Sequence, residues 1–273
     1  MADKVLLIND LAGYGKVALS AMIPVLSNMG YDLYNLPTAL VSNTLDYGKF
    51  DILETTDYMR NTISVWKELG FSFDAISTGF IVSQEQVKLV SDYCKEQSKK
   101  NTKIFVDPIM GDDGKLYNGI TEKTIEYMRD LCGVADYVLP NYTEAAFLAG
   151  VNVKESSISH DEAVAIIDKL REKGAKSVIV TSMNIEGQMG VMAYDSHKDD
   201  YFMIPFESIP VRFPGTGDIF SAVMMGNVLL GKSLEASVQN AMDYVKKLII
   251  FNKDNEDKFK GIPIEAWLHR LEE

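Results

Sequence analysis

Short runs of apolar residues alternate along the chain with stretches in which apolar residues recur at helical spacing. The runs predict strands at 4–8, 31–40, 74–78, 103–106, 136–139 and 177–180, and a hairpin made of 190–195 and 201–205. The stretches between them predict helices at 17–29, 53–69, 84–99, 121–131, 143–148, 161–173, 219–230, 234–251 and 263–271. This alternation is typical of a mostly parallel central sheet with helices on both faces, so the sequence predicts an α/β fold.

The length and composition of the chain fit one large domain. Its 273 residues exceed an average domain, but α/β sheets of this size are routinely single units, and the 47% of apolar residues allow a large core. No linker-like composition, low-complexity segment or internal repeat interrupts the pattern. The sequence therefore predicts a single domain over residues 1–273.

Polar and glycine residues follow most of the predicted strands at the point where each strand ends. In open α/β sheets, ligands bind beyond the carboxyl ends of the strands, so these residues are candidate site residues. They are Asn9, Asp10, residues 42–46, Gly79, Phe80, Asp107, Asn141, Thr181 and Ser182. The pattern predicts one ligand-binding cleft along one edge of the sheet.

The segment FPGTGDIF, residues 213–220, places a glycine-rich turn and a carboxylate before an almost wholly apolar stretch. Apolar residues on all sides predict a fully buried helix, which Gly231 ends. Unpaired N–H groups in its first turn, and glycines that let an anion approach the backbone, predict a phosphate-binding turn. Asp218 would repel a phosphate, so it is better placed as a base that takes a proton from an attacking hydroxyl. Alternatively, Thr216 and Asp218 only cap the helix.

Two further motifs offer ligands for a metal ion beside phosphates. In DPIMG, Asp107 stands at a strand end, and the motif predicts either a simple turn or a carboxylate that holds a metal ion or its waters. In NYTE, Asn141 and Glu144 have the spacing of a capping box. The same two side chains could orient a hydrated magnesium ion, which takes few protein ligands. Both interpretations of NYTE can hold together.

The loop after the first strand raises a different possibility. Gly13, Gly15 and Ala18 fit a loose dinucleotide-binding fingerprint, which would make the protein a nicotinamide enzyme. The acidic residue of that fingerprint belongs near the end of the second strand, whereas Asp32 lies where the strand starts. The sequence contains no GxxxxGKS or GxxxxGKT loop, which excludes a P-loop kinase.

Charge and cysteine content narrow the choice of partner and compartment. The formal net charge of −12 argues against a nucleic-acid partner, because such binding needs a basic surface. Cys94 and Cys132 lack metal-ligand spacing and are expected to be reduced packing residues. No apolar run reaches the length of a membrane span and no leader pattern precedes the first strand, so we expect a cytoplasmic protein without a membrane partner.

Taken together, these motifs resemble those of the ribokinase superfamily, and within it most nearly those of the vitamin B6 kinases. The matching stretches follow the family's order and approximate spacing. They are VLLINDLAGYGKVALSAMIPVLSNMG, LPTALVSNTLDYG, ISTGFIVSQEQ, VDPIMGDDGKLY, VLPNYTEAAFL and FPGTGDIFSA. The resemblance implies a ribokinase-like fold and the ATP- and Mg²⁺-dependent phosphorylation of the 5′-hydroxymethyl group of a B6 vitamer, in the salvage of pyridoxal phosphate.

The resemblance also implies roles for individual residues. The catalytic group would comprise the base Asp218 and an anion hole made by Gly215, Thr216 and Gly217. The ATP-binding group would comprise Asp107, Asn141, Glu144 and Thr181, of which Asp107 and Glu144 would hold Mg²⁺ through water. The substrate-binding group would comprise Asp10, Val17, Thr44, Leu45 and Phe80, the last as an aromatic wall. The family further implies a homodimer and leaves room for a monovalent cation as an additional cofactor.

Three positions depart from the B6-kinase pattern. Asp10 stands where pyridoxal kinases usually carry Ser, Ala18-Leu19 replaces Gly-Asn, and Thr44 replaces a histidine. An ionised Asp10 can only accept hydrogen bonds, so we expect it to favour a cationic vitamer, with a pyridinium nitrogen or the aminomethyl group of pyridoxamine. The departures leave two alternatives open: a kinase for another small alcohol, such as a hydroxymethylpyrimidine or a sugar, and a non-catalytic protein that binds a nucleotide or a vitamer.

Overall fold

The computed structural model describes residues 3–117 and 121–270, and the chain divides into two units. The first unit combines the chain up to Ala75 with the chain from Ile209 onward, and the second unit is Ile76–Ser208. The strands are β1 (Lys4–Tyr14), β2 (Asp32–Asn43), β3 (Ile52–Glu54), β4 (Ala75–Thr78), β5 (Lys103–Val106), β6 (Gly111–Asp112), β7 (Lys115–Leu116), β8 (Tyr137–Val138), β9 (Ser177–Ile185), β10 (Gln188–Asp195) and β11 (Asp200–Pro205). The helices are α1 (Ala18–Asn28), α2 (Thr56–Glu68), α3 (Gln84–Ser98), α4 (Glu122–Cys132), α5 (Tyr142–Ala149), α6 (His160–Glu172), α7 (Thr216–Leu229) and α8 (Leu234–Asn252).

In the first unit, β1 pairs in parallel with β2, and β2 pairs antiparallel with the short edge strand β3. Residues 5–8 of β1 are completely buried, as expected for a run without polar side chains. Residues 219–228 of α7 are also all buried, and α7 packs against α1 and α8. The prediction of a helix buried on every side is therefore confirmed.

In the second unit, the strands lie in the order β11-β10-β9-β8-β5-β4. β5 and β9 both run parallel to β8, whereas β10 runs antiparallel to both β9 and β11. The rings of Phe105 on β5 and Tyr137 on β8 stack with centroids 4.7 Å apart. Strands that alternate with helices and pair mostly in parallel confirm the predicted α/β fold class.

β1 is longer than the apolar pattern predicts. The prediction ended the first strand before Asn9 and placed a glycine loop after it, but β1 continues to Tyr14. A bulge after Asn9 interrupts the ladder with β2, which resumes where Leu11 faces Leu40. Because the second half of the ladder begins at a bulge, after the polar pair Asn9-Asp10, the apolar run of residues 5–8 does not reveal it.

The predicted last helix, 263–271, is wrong. Two separate 3-10 turns, Ile264–Ala266 and Leu268–Arg270, take its place, and residue 271 lies outside the described residues. Trp267 between the turns stacks on Phe251 of α8, with ring centroids 4.7 Å apart, and its carbonyl accepts the Tyr244 hydroxyl. These contacts with α8 fix the position of the segment, which does not form the hydrogen bonds of a continuous α-helix.

Other predictions concern the chain as a whole. Cys94 and Cys132 are buried free thiols, which confirms that they are packing residues. Within residues 3–117 and 121–270, no helix is both long and apolar enough to cross a membrane. The assignment of residues 1–273 to one domain stays a prediction.

Candidate active site

The turn before α7 requires glycine at its centre. Gly215 is the N-cap of α7 with a left-handed φ of 84°, and a Cβ there would lie 2.0 Å from the carbonyl oxygen of Lys16. The Thr216 hydroxyl donates to the Phe213 carbonyl at 3.2 Å and closes the turn. No atom lies within 4 Å of the point where a Cβ of Gly217 would stand, so the backbone is open there to an approaching anion.

Asp218 lies half-buried in the first turn of α7, so neither it nor Thr216 occupies the N-cap position. The Asn9 side-chain nitrogen is 3.5 Å from Asp218 Oδ1, and the N–H groups of Ala18 and of Asp218 itself also favour the charged form of the carboxylate. Burial raises the pKa of Asp218 to about 6, and these donors limit the rise. The carboxylate is therefore mostly ionised at neutral pH, with a pKa suited to a general base.

A second carboxyl group, that of Asp10, interacts electrostatically with Asp218. Asp10 occupies the bulge of β1, and its N–H donates to Asn9 Oδ1 at 3.0 Å. Burial, followed by the charge of Asp218, raises the pKa of Asp10 to about 7. Over the ranges that the structure describes, no basic side chain pairs with Asp10. Two neighbouring carboxyl groups without a cation form a site that a cationic ligand would stabilise.

The segment 44–47, which contains the predicted substrate residues Thr44 and Leu45, packs against the chain near Phe259. Thr44 is buried, and its hydroxyl donates to the Phe259 carbonyl at 2.6 Å. The Tyr47 hydroxyl donates to Asp257 at 2.6 Å, and the Tyr47 ring meets the Phe259 ring edge-on. Because Thr44 has used its only hydroxyl proton and Leu45 is exposed, Leu45 is the better placed of the two predicted residues to contact a ligand.

The turn before α7 is assembled from three parts of the first unit. Val17 lies beside the turn, with its Cα 3.3 Å from the point where a Cβ of Gly215 would stand. Gly261 also packs closely against this turn. A Cβ added to Gly261 would lie 2.8 Å from the carbonyl oxygen of Lys16 and 3.1 Å from that of Pro214. The sequence contains no motif around Gly261 that would have revealed this role.

In the second unit, Asn141 and Glu144 form the predicted capping box at the start of α5. Asn141 Oδ1 accepts the Glu144 N–H at 2.9 Å, and Glu144 Oε2 accepts the Asn141 N–H at 2.9 Å. Glu144 Oε1 accepts the Met110 N–H at 2.9 Å, so the same carboxylate also holds the DPIMG loop. Thr181 is joined to this helix start by a backbone bridge to Asn141.

The residues predicted to hold magnesium fit that ion unequally. Asp107 is half-buried just after β5, and its carboxylate can bind a cation or one of its waters. Glu144 is only 3% exposed, both of its oxygens accept backbone N–H groups, and burial and the charge of Asp107 raise its pKa well above the ordinary value. The described part of the chain holds no group of three or more His, Cys, Asp or Glu residues arranged for a metal ion. This donor set fits magnesium that is held mainly by phosphates and water, with Asp107 as its protein contact.

Two further predicted features can be located. Phe80 follows β4 in the second unit and is half-buried, and its contact with a substrate stays a prediction. Asp32 begins β2 and accepts the Tyr34 hydroxyl at 2.7 Å. It therefore lies at the strand end opposite to the one at which a dinucleotide-binding acid is needed, which gives the nicotinamide alternative no support.

The chain is similar over nearly its whole length to known kinases. A family model described as phosphomethylpyrimidine kinase matches residues 17–261. A pyridoxal kinase from Paraburkholderia xenovorans is 27% identical over 91% of this chain and 88% of its own length. A pyridoxine/pyridoxal/pyridoxamine kinase from Bordetella avium is 28% identical over 85% of this chain and 79% of its own length.

Solved structures match as well. A candidate phosphomethylpyrimidine kinase from Bacteroides thetaiotaomicron, crystallised with pyridoxal, superposes with a TM-score of 0.94 at 34% identity, over 100% of this chain and 96% of that one. Pyridoxal kinase from Lactobacillus plantarum superposes with a TM-score of 0.89 at 26% identity, over 99% of this chain and 97% of that one. These similarities confirm the ribokinase-like fold, the resemblance to the vitamin B6 kinases and the prediction that the protein is a kinase. Since the family model spans most of its length, the chain belongs to the phosphomethylpyrimidine kinase family.

Proposed function

We propose that this protein transfers the γ-phosphoryl group of ATP to the hydroxymethyl group of a vitamin B6 vitamer. The observation that carries the proposal is an ionisable Asp218 in the first turn of a buried helix, next to a glycine turn that is open to an anion. The relatives support the substrate, because two of them are named for pyridoxal or for all three vitamers, and one similar structure was crystallised with pyridoxal.

In this reaction Asp218 takes the proton of the vitamer's hydroxyl group as the hydroxyl oxygen bonds to the γ-phosphorus. The bond from that phosphorus to the bridging oxygen breaks, ADP leaves, and Asp218 later releases the proton to solvent. The N–H groups of residues 215–217, at the N-terminal end of α7, stabilise the negative charge on the migrating phosphoryl group.

The nucleotide-binding role falls to residues of the second unit. Mg²⁺ bound with ATP would neutralise charge on the phosphates. Asp107 would hold that ion or one of its waters. Glu144 would act by holding the backbone of Met110, while Asn141 and Thr181 would line the nucleotide site from the start of α5.

A pyrimidine alcohol is the second candidate substrate. The family model and the structure from Bacteroides thetaiotaomicron are both named for phosphomethylpyrimidine kinase. A hydroxymethylpyrimidine presents the same primary alcohol on an aromatic nitrogen ring, so the proposed chemistry would be unchanged. A sugar kinase or a non-catalytic binding protein has no comparable observation in its favour.

ADP release with a panel of acceptors tests the proposal. The panel contains pyridoxamine, pyridoxal, pyridoxine, a hydroxymethylpyrimidine, a sugar and no acceptor, each with ATP and with or without Mg²⁺. We expect Mg²⁺-dependent ADP release with the vitamers and a phosphorylated vitamer in the mass spectrum. Faster release with the hydroxymethylpyrimidine would transfer the assignment to the second candidate, and release with no acceptor on the panel would contradict both.

Asp10 is proposed to select a cationic vitamer, since it is a partly buried carboxyl group beside Asp218 and lacks a basic partner among the described residues. We expect Asp10→Ser to lower the kcat/KM for pyridoxamine relative to pyridoxal by about tenfold, the effect of losing one charge-assisted contact. Asp32→Ser, which removes a carboxylate at the distant start of β2, is the matched control. An unchanged ratio in Asp10→Ser would exclude this role.

A homodimer is also proposed, on the basis of an exposed apolar row in the first unit. Leu11, Leu40 and Leu53 are register partners on β1, β2 and β3 and are exposed by 37%, 42% and 62%. Exposed apolar residues on an edge strand are typical of an interface. We expect the molar mass of a dimer by light scattering and that of a monomer for Leu53→Asp; a monomeric wild type would contradict the proposal.

The cytoplasmic location, the monovalent cation and the place in vitamer salvage stay predictions.

A further inference from the structure

The first residue of α1 has a backbone conformation that is unusual for its type. Ala18 is buried and has a left-handed φ of 49°, which residues with a side chain rarely adopt outside Asn and Asp. Residues held in such conformations persist only where their surroundings enforce them, and they cluster at functional sites. The conformation of Ala18 is therefore expected to serve the neighbouring site.

Two contacts tie the start of α1 to the end of β1. Ala18 forms a backbone bridge with Leu11, and the Ser20 hydroxyl donates to the Ala12 carbonyl at 2.8 Å. In this arrangement the N–H of Ala18 stabilises the negative charge of the Asp218 carboxylate. The strained residue thus directs the first N–H of α1 towards the proposed base.

Asn9 contacts the same carboxylate from β1. Its side chain is buried, its Nδ2 is 3.5 Å from Asp218 Oδ1, and its Oδ1 accepts the Asp10 N–H at 3.0 Å. The second bond fixes the orientation of the amide, because only the carbonyl end can accept an N–H. The amino end must then face Asp218.

Asp218 is therefore held by donors from two separate elements in addition to its own helix. It lies in the first turn of α7, and the first N–H of α1 also stabilises its charge, so the N-terminal ends of two packed helices both favour the ionised carboxylate. Asp10 on β1 is the other acidic group beside Asp218, and the charge of Asp218 raises the pKa of Asp10. The donors to Asp218 limit the rise in its own pKa that burial causes.

We propose that Asn9 is a positioning residue that, together with the N–H of Ala18, holds the Asp218 carboxylate in one orientation for proton transfer. The inference rests on the proposed function in one respect, that Asp218 is the base. Asn9 itself does not touch the reacting atoms. Its amide restricts rotation of the carboxylate and stabilises the ionised form, which the reaction requires.

The test replaces the amide with an apolar side chain of similar size. In Asn9→Leu we expect the pKa of Asp218, followed by carboxyl ¹³C NMR on the free protein, to rise by about one unit, the effect of losing a hydrogen bond to a charged group. The acidic limb of kcat/KM should move to higher pH by the same amount. Asn9→Ala, whose side chain fills less space, provides a second measurement of the Asp218 pKa if Asn9→Leu disturbs the fold.

Asn28→Leu is the matched control, because it removes an amide on α1 whose Nδ2 donates to the Leu268 carbonyl and does not reach Asp218. Its acidic limb should stay in place. An unchanged Asp218 pKa in both Asn9 variants would overturn the inference. The NMR titration needs no turnover, so it remains decisive even if Asp218→Asn proves to be active and the proposed function fails.

Discussion

Replacing Asp218 with Asn is expected to lower kcat by about 10²- to 10⁴-fold, the usual contribution of a positioned general base. Asn has nearly the same shape and can still accept the N–H of Ala18, but it cannot take the hydroxyl proton. The measurement is single-turnover formation of the phosphorylated vitamer at saturating ATP and Mg²⁺.

Two controls test whether the loss of activity arises in the phosphoryl-transfer step, and not from weaker ATP binding or a less stable fold. ATP affinity should be nearly unchanged in Asp218→Asn, because the proposed nucleotide contacts lie on other residues. Folding raises the pKa of Asp218 above its unfolded value, so its ionised form destabilises the fold above about pH 6. The neutral variant should therefore unfold at the same or a higher temperature at pH 8. Turnover within a few-fold of wild type would exclude Asp218 as the base.

Replacing Gly215 with Ala is expected to have the second largest effect, a loss of roughly 3 kcal/mol in the free energy of unfolding. The new Cβ would need a left-handed φ of 84° and would lie 2.0 Å from the Lys16 carbonyl, which is backbone and cannot rotate away. Since the same turn is the proposed anion hole, phosphoryl transfer should fall with it. The urea midpoint and the thermal midpoint measure the stability.

Two other glycines separate the causes of this loss. Gly231 has a left-handed φ of 81° but open space around the added Cβ, so Gly231→Ala should report backbone strain alone, about 1 kcal/mol. Gly217 is not left-handed and also has open space, so Gly217→Ala should leave the stability nearly unchanged. If Gly215→Ala were no less stable than Gly231→Ala, the proposed clash with Lys16 would be wrong.

The parts of the fold that follow from local patterns were predictable. The apolar runs at 104–106 and 219–228 carry their own signal, because a fully buried strand or helix needs no polar face. The end of β1 was not predictable, since it pairs with β2 only beyond a bulge that interrupts the ladder. The C-terminal segment failed for a similar reason: the contacts of Trp267 with α8 outweigh its helical pattern.

In the candidate site, too, features with a local sequence pattern were predictable and those set by tertiary contacts were not. The first turn of α7 could be located because glycines and a carboxylate before a buried helix have a direct physical meaning. Asn9 and Gly261 could not be assigned a role, because each acts through residues far along the chain. Thr44 and Glu144 were identified as polar residues at strand or helix ends, but whether their polar atoms are already occupied depends on tertiary contacts.

The pH dependence of kcat/KM for the vitamer, measured in parallel for wild type and Asp218→Asn, decides whether Asp218 is the base. Ionisation of the vitamer affects both proteins alike and cancels in their ratio. If Asp218 works as an ionised base with a pKa of about 6, the ratio of wild type to variant is constant above neutral pH and falls towards tenfold per unit below about pH 6. A ratio that stays constant down to about pH 5 would show that Asp218 does not act as an ionised base.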